Sequence, residues 1–236
     1  MSLKTVINSL VSLPSLPDMQ VKQILTLLQK DATIEWRQKH TLFGVLLYVG
    51  STVFAVFMMN GQPEPKVWNA LFWLIQLFVT VNSVAKSFLQ ESQARYRYYF
   101  SIVSPGVFMA AKLIYNLALQ LLISLLSLLL FSVMLGNPLE QTGLFLLVTL
   151  LGGMALSSVF TFLSAIAAKA NQNAALMAVL GFPIITPVLM ILSKLATKAI
   201  MPIYQAGWAQ LALVLCMLIV LVIILSLILF PFLWKE

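Results

Sequence analysis

The sequence predicts an all-α integral membrane protein with six transmembrane helices, and three observations support that fold class. Hydrophobic residues make up 61% of the chain and charged residues only 9%, whereas a soluble domain carries about 25% charged residues. Six apolar runs each reach the ~20 residues that cross a bilayer hydrocarbon core, and polar or helix-breaking residues separate them. Lysine and arginine are also divided unequally between the two sides that such a chain would present.

Residues 1–17 carry one charge, Lys4, and are broken by Pro14 and Pro17. They lack the dense apolar core and small-residue cleavage site of a secretory signal, so they read as a peripheral extension. Ser15-Leu16-Pro17-Asp18 has the form of a capping box, and a proline in the first turn of a helix sacrifices no hydrogen bond. Residues 18–40 then place Val21, Ile24, Leu25, Leu28, Ala32 and Trp36 on one side and Lys22, Gln29, Lys30, Thr33 and Lys39 largely on the other. That division predicts an amphipathic helix lying in the membrane interface, with its tryptophan at headgroup depth. The alternative is a surface helix of a soluble N-terminal domain.

The transmembrane domain is read as residues 41–236, with spans at about 41–59, 67–85, 107–135, 142–168, 174–192 and 208–234. Asn60-Gly61-Gln62-Pro63 ends the first span, Gly136-Asn137-Pro138 the third, and the polar stretch from Lys169 to Asn173 the fourth. With the N-terminus in the cytoplasm, the inner segments hold eleven basic residues: Lys4, Lys22, Lys30, Arg37, Lys39, Lys86, Arg95, Arg97, Lys112, Lys169 and Lys235. The outer segments hold three, Lys66, Lys194 and Lys198. The bias predicts that both termini face the cytoplasm. It also accounts for the net charge of +7 without nucleic acid, since the basic residues are dispersed between apolar runs instead of forming one stripe.

Between the second and third spans lies KSFLQESQARYRYYFSIVSPGVFMAAK, Lys86 to Lys112. Tyr96, Tyr99, Phe100 and Val103 follow the i, i+3, i+4, i+7 spacing of one helical face, and Pro105-Gly106 breaks the segment before the next apolar run. It reads as a short amphipathic helix with an aromatic stripe, flanked by Arg95 and Arg97. Such a stripe suits docking to a partner, because aromatic and arginine side chains anchor interfaces. The alternative is a loop helix resting on lipid headgroups.

Several chemistries find no support in the sequence. No Walker loop, dinucleotide fingerprint, zincin motif or nucleophile elbow occurs, so no enzyme activity is expected of this chain. Cys216 is the only cysteine, which rules out a disulfide or cysteine-rich metal site within one chain. Met58, Met59 and His40 are side chains of the kinds that ligate haem, but they read better as lipid-facing and interfacial residues. No metal site is expected. Almost no charge lies deep within a span, which argues against an ion-coupled transporter.

Pro183 and Pro187 in the fifth span free backbone carbonyls and mark either a hinge or a static kink. Gly152, Gly153, Ser157 and Ser158 in the fourth suit close helix packing more than a pore. Lys194 and Lys198, one turn apart after the fifth span, read as an outer-surface pair.

An interfacial helix, six spans and a cytoplasmic amphipathic segment between spans two and three resemble the membrane subunit of an ATP-binding-cassette exporter, with its coupling helix. The sequence is more closely similar to the haem exporter protein B family, the permeases of the cytochrome c maturation system. The resemblance runs from about Gln20 to the C-terminus. It is carried by Phe88 to Lys112 with its Ser104-Pro105 turn and Ala111-Lys112, by Pro183 and Pro187, and by Pro231-Phe232.

The resemblance implies a multi-pass protein of the bacterial inner membrane that pairs as a homodimer with two copies of a cytoplasmic ATPase. It also implies association with a haem-handling membrane protein and a small single-span subunit. ATP and Mg would be bound by the partner, haem would be handled by the complex, and ATP-driven motion would release a haem-loaded periplasmic chaperone. On this reading Tyr96, Tyr99, Phe100 and Val103 enter a groove on the ATPase, and Arg95 and Arg97 meet acidic groups on its rim. Two rival readings stand beside it: an exporter permease for a lipid, polysaccharide or drug, and a membrane assembly scaffold without a transport cycle.

Overall fold

The computed structural model describes residues 16–37, 39–84, 88, 99, 102–169, 174–200 and 207–235. Among these residues there are seven helices and no strand. In chain order they are α1 (Leu16–Arg37), α2 (Lys39–Asn60), α3 (Pro65–Val84), α4 (Pro105–Met134), α5 (Thr142–Lys169), α6 (Ala174–Ile200) and α7 (Trp208–Lys235).

Local chemistry explains where the elements stop. Gly61 adopts φ 61° and donates its N–H to the Phe57 carbonyl at 2.8 Å, closing α2 in the left-handed conformation that glycine takes without steric cost. At the far end of α4, Leu135 N–H donates to the Phe131 carbonyl at 2.9 Å and Gly136 follows at φ 79°. α4 begins with Ser104 in extended backbone, φ −70° and ψ 146°, and Pro105 just inside the helix, where a missing N–H leaves no carbonyl unpaired.

Among the described residues five helices are long and apolar enough to cross a membrane, within Pro65–Val84, Pro105–Met134, Thr142–Ala168, Val179–Ile200 and Trp208–Phe232. The apolar stretch of α2, Phe43–Met59, is shorter. The whole of α2 is 22 residues, about 33 Å at 1.5 Å per residue.

Two helices differ from the sequence reading at positions that matter. α6 does not end near Leu192 but runs on through Lys194 and Lys198 to Ile200, because Leu195, Ala196, Ala199 and Ile200 continue its buried face. Lys112 does not belong to the polar segment before the third span. It lies within α4 and is only 4% exposed.

The bundle is built around α5, which packs against α3, α4, α6 and α7. Small residues make this central position possible. A Cβ on Gly152 would collide with the Trp73 indole and lie 2.9 Å from Leu192 Cδ2, so both neighbours use the space that glycine leaves. A Cβ on Gly153 would lie 3.2 Å from Ser124 Oγ and 3.4 Å from Leu121 Cδ2. Ser157 and Ser158 are buried on the same helix. Beside this contact Trp68, Phe72, Phe131 and Phe145 form an aromatic block, with Trp68 stacked on Phe72 at 5.6 Å and the two phenylalanines edge-on at 5.3–5.5 Å.

α6 runs through both prolines. Pro183 and Pro187 cannot donate to the carbonyls of Val179 and Pro183, and Thr186 Oγ1 donates to the Phe182 carbonyl at 2.6 Å. This proline face is exposed, with Val179 at 72% and Phe182 at 75%.

Replacing Gly152 with leucine is expected to lower the thermal stability of the detergent-solubilised protein by about 1–3 kcal/mol, the usual cost of overpacking. Gly44, whose added Cβ would meet nothing within 4 Å, is the control. Gly44→Ala is expected to leave the melting temperature unchanged or raise it slightly, read from intrinsic tryptophan fluorescence during heating.

Candidate functional site

The chemistry of this chain concentrates at one end of the bundle, where α1 crosses the start of α4. Three sectors run along α1. Lys22, Thr26, Gln29, Thr33 and Arg37 form an exposed polar stripe, and Val21, Leu25, Ala32 and Trp36 an exposed apolar one. A third stripe, Ile24, Leu27, Asp31 and Ile34, turns toward the protein. The spacings i, i+3, i+4 and i+7 place each set on one side of a 3.6-residue helix. The apolar residues expected to share one face are therefore split: Ile24 packs inward, while Val21, Leu25 and Trp36 stay 55%, 59% and 76% exposed.

Asp31 stands on the inward stripe. Its side chain is 8% exposed, and each carboxylate oxygen has a cation: Oδ1 lies 3.0 Å from Lys30 Nζ and Oδ2 2.9 Å from Lys112 Nζ. The Lys112 side chain is 5% exposed, so a whole ion pair has been removed from water. Its ammonium also faces the rings of Phe108 at 5.8 Å and Phe88 at 6.0 Å, where the negative ring faces offset part of the lost hydration. Lys30, 26% exposed, reaches in the other direction. It donates a 3.1 Å hydrogen bond to the Tyr99 hydroxyl and sits 4.8 Å from the centre of that ring.

The aromatic residues around this pair come from separate parts of the chain. Phe108 of α4 stacks on Phe230 of α7 at 6.1 Å and 12°, Phe88 meets both rings edge-on, and Tyr99 lies 5.5 Å from Phe108. Leu27 of α1, Val107 and Met109 of α4, and Ala165 of α5 complete the cluster, with Val103 against it. Val103 N–H donates to the Tyr99 carbonyl at 3.0 Å, one helical turn just before Ser104 and α4. α1, α4, α5 and α7, with Phe88, Tyr99 and Val103, are thus held by one small core with a buried charge pair inside it.

Of the residues singled out as a docking face, Tyr99 and Val103 pack inward against this core. Tyr96, Phe100, Arg95 and Arg97 lie outside the described residues. Sequence reasoning missed Asp31 and its pairing with Lys112. The available signal was a carboxylate at the i+4 and i+7 positions of Leu27 and Ile24. Among the described residues no group of three metal-ligating side chains occurs. Met58 and Met59 are exposed, as is Cys216.

A second polar feature lies deeper, between α3, α4 and α5. Gln76, Asn116, Gln120, Ser124, Ser127, Ser157 and Thr161 are all 1% exposed or less. Asn116 Nδ2 donates to Thr161 Oγ1 at 3.0 Å, Gln120 Nε2 to Gln76 Oε1 at 3.3 Å, and Ser124 Oγ to Gln76 Oε1 at 3.1 Å. No ionisable side chain belongs to this seam, so it offers hydrogen bonds and no fixed charge.

A family model described as CcmB protein matches residues 22–232. No curated protein and no solved structure matches the chain.

Removing one partner of a buried ion pair strands the other charge, at a cost of roughly 3–5 kcal/mol. Asp31→Leu and Lys112→Met are each expected to destabilise the protein on that scale. The double variant is expected to regain most of the loss, since Lys30 can reach water on its own. Melting temperatures of the four proteins in one detergent complete the cycle, and simple additivity of the two losses is the outcome that contradicts this account.

Proposed function

The chain belongs to the CcmB family, and on that premise we propose that it is the membrane permease subunit of an ATP-binding-cassette system acting in cytochrome c maturation. The observation that carries this reading is the family match, which spans residues 22–232 and so takes in the α1 junction and all of the long apolar helices. The chain has no nucleotide-binding motif, so the energy comes from a separate cytoplasmic ATPase that binds ATP and Mg. Haem is handled by the complex, which also holds a haem-handling membrane protein and a small single-span subunit, and the motion serves haem handling or the release of a haem-loaded chaperone.

In this proposal α2 is the first of six spans, both termini face the cytoplasm of a bacterial inner membrane, and the α1 junction lies at the cytoplasmic surface. The exposed apolar stripe of α1 meets the inner leaflet, and its polar stripe meets water. The ATPase engages the segment between α3 and α4 chiefly through Arg95 and Arg97, because Tyr99 and Val103, which the spacing puts on one helical face with Tyr96 and Phe100, turn toward the core. Tyr99 and Val103 form the inward side of that segment and relay its displacement. From Tyr99 the push passes to Lys30, then to Asp31 and Lys112, and so into α4. A buried, fully used carboxylate suits this role because it has no second arrangement as good as the first.

The exposed proline face of α6 supports pairing with a second copy of the chain. Carbonyls without helical donors are costly against lipid, and a protein surface provides them with cover. Pro183 and Pro187 act there as part of an interface as well as a point of bending.

Arg95→Glu with Arg97→Glu is expected to abolish co-purification of the ATPase while leaving the melting temperature of the permease unchanged. Tyr99→Phe, which removes the hydroxyl that accepts from Lys30 and keeps the ring, is expected to keep the ATPase bound but weaken stimulation of ATP hydrolysis by the permease. Loss of c-type cytochromes on deletion, with other envelope components intact, separates this reading from a lipid, polysaccharide or drug exporter. For the pairing, Thr186→Cys in a Cys216→Ser background is expected to cross-link chain to chain in membranes, whereas a cysteine at exposed Leu122 of α4 is not.

A further inference from the structure

The polar seam contains more hydrogen-bonding capacity than it uses. Gln76 Nε2, Asn116 Oδ1, Gln120 Oε1, Ser127 Oγ and Ser157 Oγ are buried without a partner. In a soluble domain the cost of such atoms is high, and deep in an apolar bundle no solvent is at hand to lower it. The interesting feature is where the spare groups stand relative to one another.

α4 and α5 are antiparallel neighbours, and two contacts set their register. Asn116 bonds Thr161, and Ser124 lies against Gly153. One turn from each on α4 is Gln120, and one turn from each on α5 is Ser157, so these two residues stand at the same level. Gln120 Cγ lies 3.8 Å from the position of a Cβ on Gly153, which places its side chain on the α5 side of the helix. Its amide is nevertheless spent on α3 and its own helix, through Nε2 to Gln76 Oε1 at 3.3 Å and to Ser124 Oγ at 3.3 Å. Its own Oε1 and the Ser157 hydroxyl are left vacant, one an acceptor and the other a donor.

We propose that the Gln120 side chain exchanges between two partners, Gln76 on α3 and Ser157 on α5, and that this gives α4 two alternative pairings with its neighbours. In the first, the amide donates to Gln76 and Ser157 stands idle. In the second, the amide swings away from α3 toward α5, so that its Nε2 leaves Gln76, its Oε1 accepts from Ser157 Oγ, and Gln76 is left with Ser124. Each arrangement forms hydrogen bonds that the other gives up, so neither is fully satisfied. That is the condition for two states of comparable energy in one packed interface. α4 also carries Lys112, so the exchange would let the junction bias the pairing. The exchange itself does not depend on the permease reading and can be tested in the chain alone.

The test reads the side chain directly. The full-length protein, labelled with ¹⁵N in its glutamine side chains and placed in lipid nanodiscs, is expected to show the Gln120 amide as two signals or as one broadened by exchange. The signal is identified by its loss in Gln120→Leu. Ser157→Ala removes one partner with almost no change in volume and is expected to shift the ratio toward the Gln76-paired form. Gln76→Leu is expected to shift it the opposite way, each by about two- to tenfold, the range that one hydrogen bond carries. Gln120→Leu is also expected to hold or raise the melting temperature, since it removes an amide that neither state satisfies. A single sharp Gln120 signal that Ser157→Ala leaves unmoved would overturn the proposal. So would a Gln120→Leu protein that melts as low as Gly152→Leu, because that outcome makes the seam simple interhelical glue.

Discussion

Two charges buried at one end of an apolar bundle impose the constraint on which the rest of this structure depends. Asp31 and Lys112 have left water, and transferring each ion costs several kcal/mol even after relaxation. That cost is tolerable only when each charged oxygen and each ammonium has a partner of complementary charge. Asp31 meets the condition with a cation on each oxygen, and Lys112 adds two aromatic faces to its carboxylate. Because the pair is satisfied in this geometry alone, α1 has little freedom against α4. An apolar contact of the same area would allow sliding, since methyl groups do not distinguish one another. The charge pair therefore contributes position more than stability.

The other end and the centre of the bundle are held differently. Around α5 the fit is steric: Gly152 admits the Trp73 indole and Leu192, and Gly153 admits Ser124 and Leu121. Lipid tails are as apolar as leucine, so helices in a membrane gain little from hiding apolar surface and much from close approach. The aromatic block of Trp68, Phe72, Phe131 and Phe145 adds shape-specific contacts across α3, α4 and α5. The seam around Gln120 leaves several good donors and acceptors over at one place, whereas the other buried unpartnered atoms, on Trp68, Asn69, Trp73 and Trp208, are one to a side chain.

Which of these features could be read in the sequence follows from their range. The apolar runs, their glycine and proline boundaries and the α1 amphipathic pattern are local, and hydropathy and periodicity exposed them. Even there, α6 ran past Leu192 because its buried face continued through Leu195, Ala196 and Ala199, between lysines that looked like an end. The small residues of α5 were legible as packing residues but not their partners, since Trp73 and Leu192 are distant in sequence. The ion pair was harder still. Asp31 and Lys112 are separated by two helices, α2 and α3, and each alone resembles an ordinary interfacial charge. A carboxylate on the stripe of Ile24 and Leu27 was the one local hint. It was outweighed by the more numerous apolar residues at Val21, Leu25, Ala32 and Trp36, which the structure leaves exposed.

The contrast between the two polar features assigns them different mechanical duties. In the proposed function a displacement applied near Tyr99 meets a junction whose charges are paired and whose aromatic rings interlock, which favours its transmission. α4 carries it inward as a rod of 30 residues, about 45 Å long, in contact with α1, α2, α3, α5 and α7. Midway along it lies Gln120, where the proposed exchange gives the hydrogen bonds an alternative. Stiffness where force enters and near-degeneracy where helices meet are both needed, because a uniformly stiff bundle would not move and a uniformly soft one would absorb the push. Charge satisfied at Asp31 and hydrogen bonds left over at Gln120 supply the two properties from the same twenty amino acids, through nothing more than the number of partners each side chain was given.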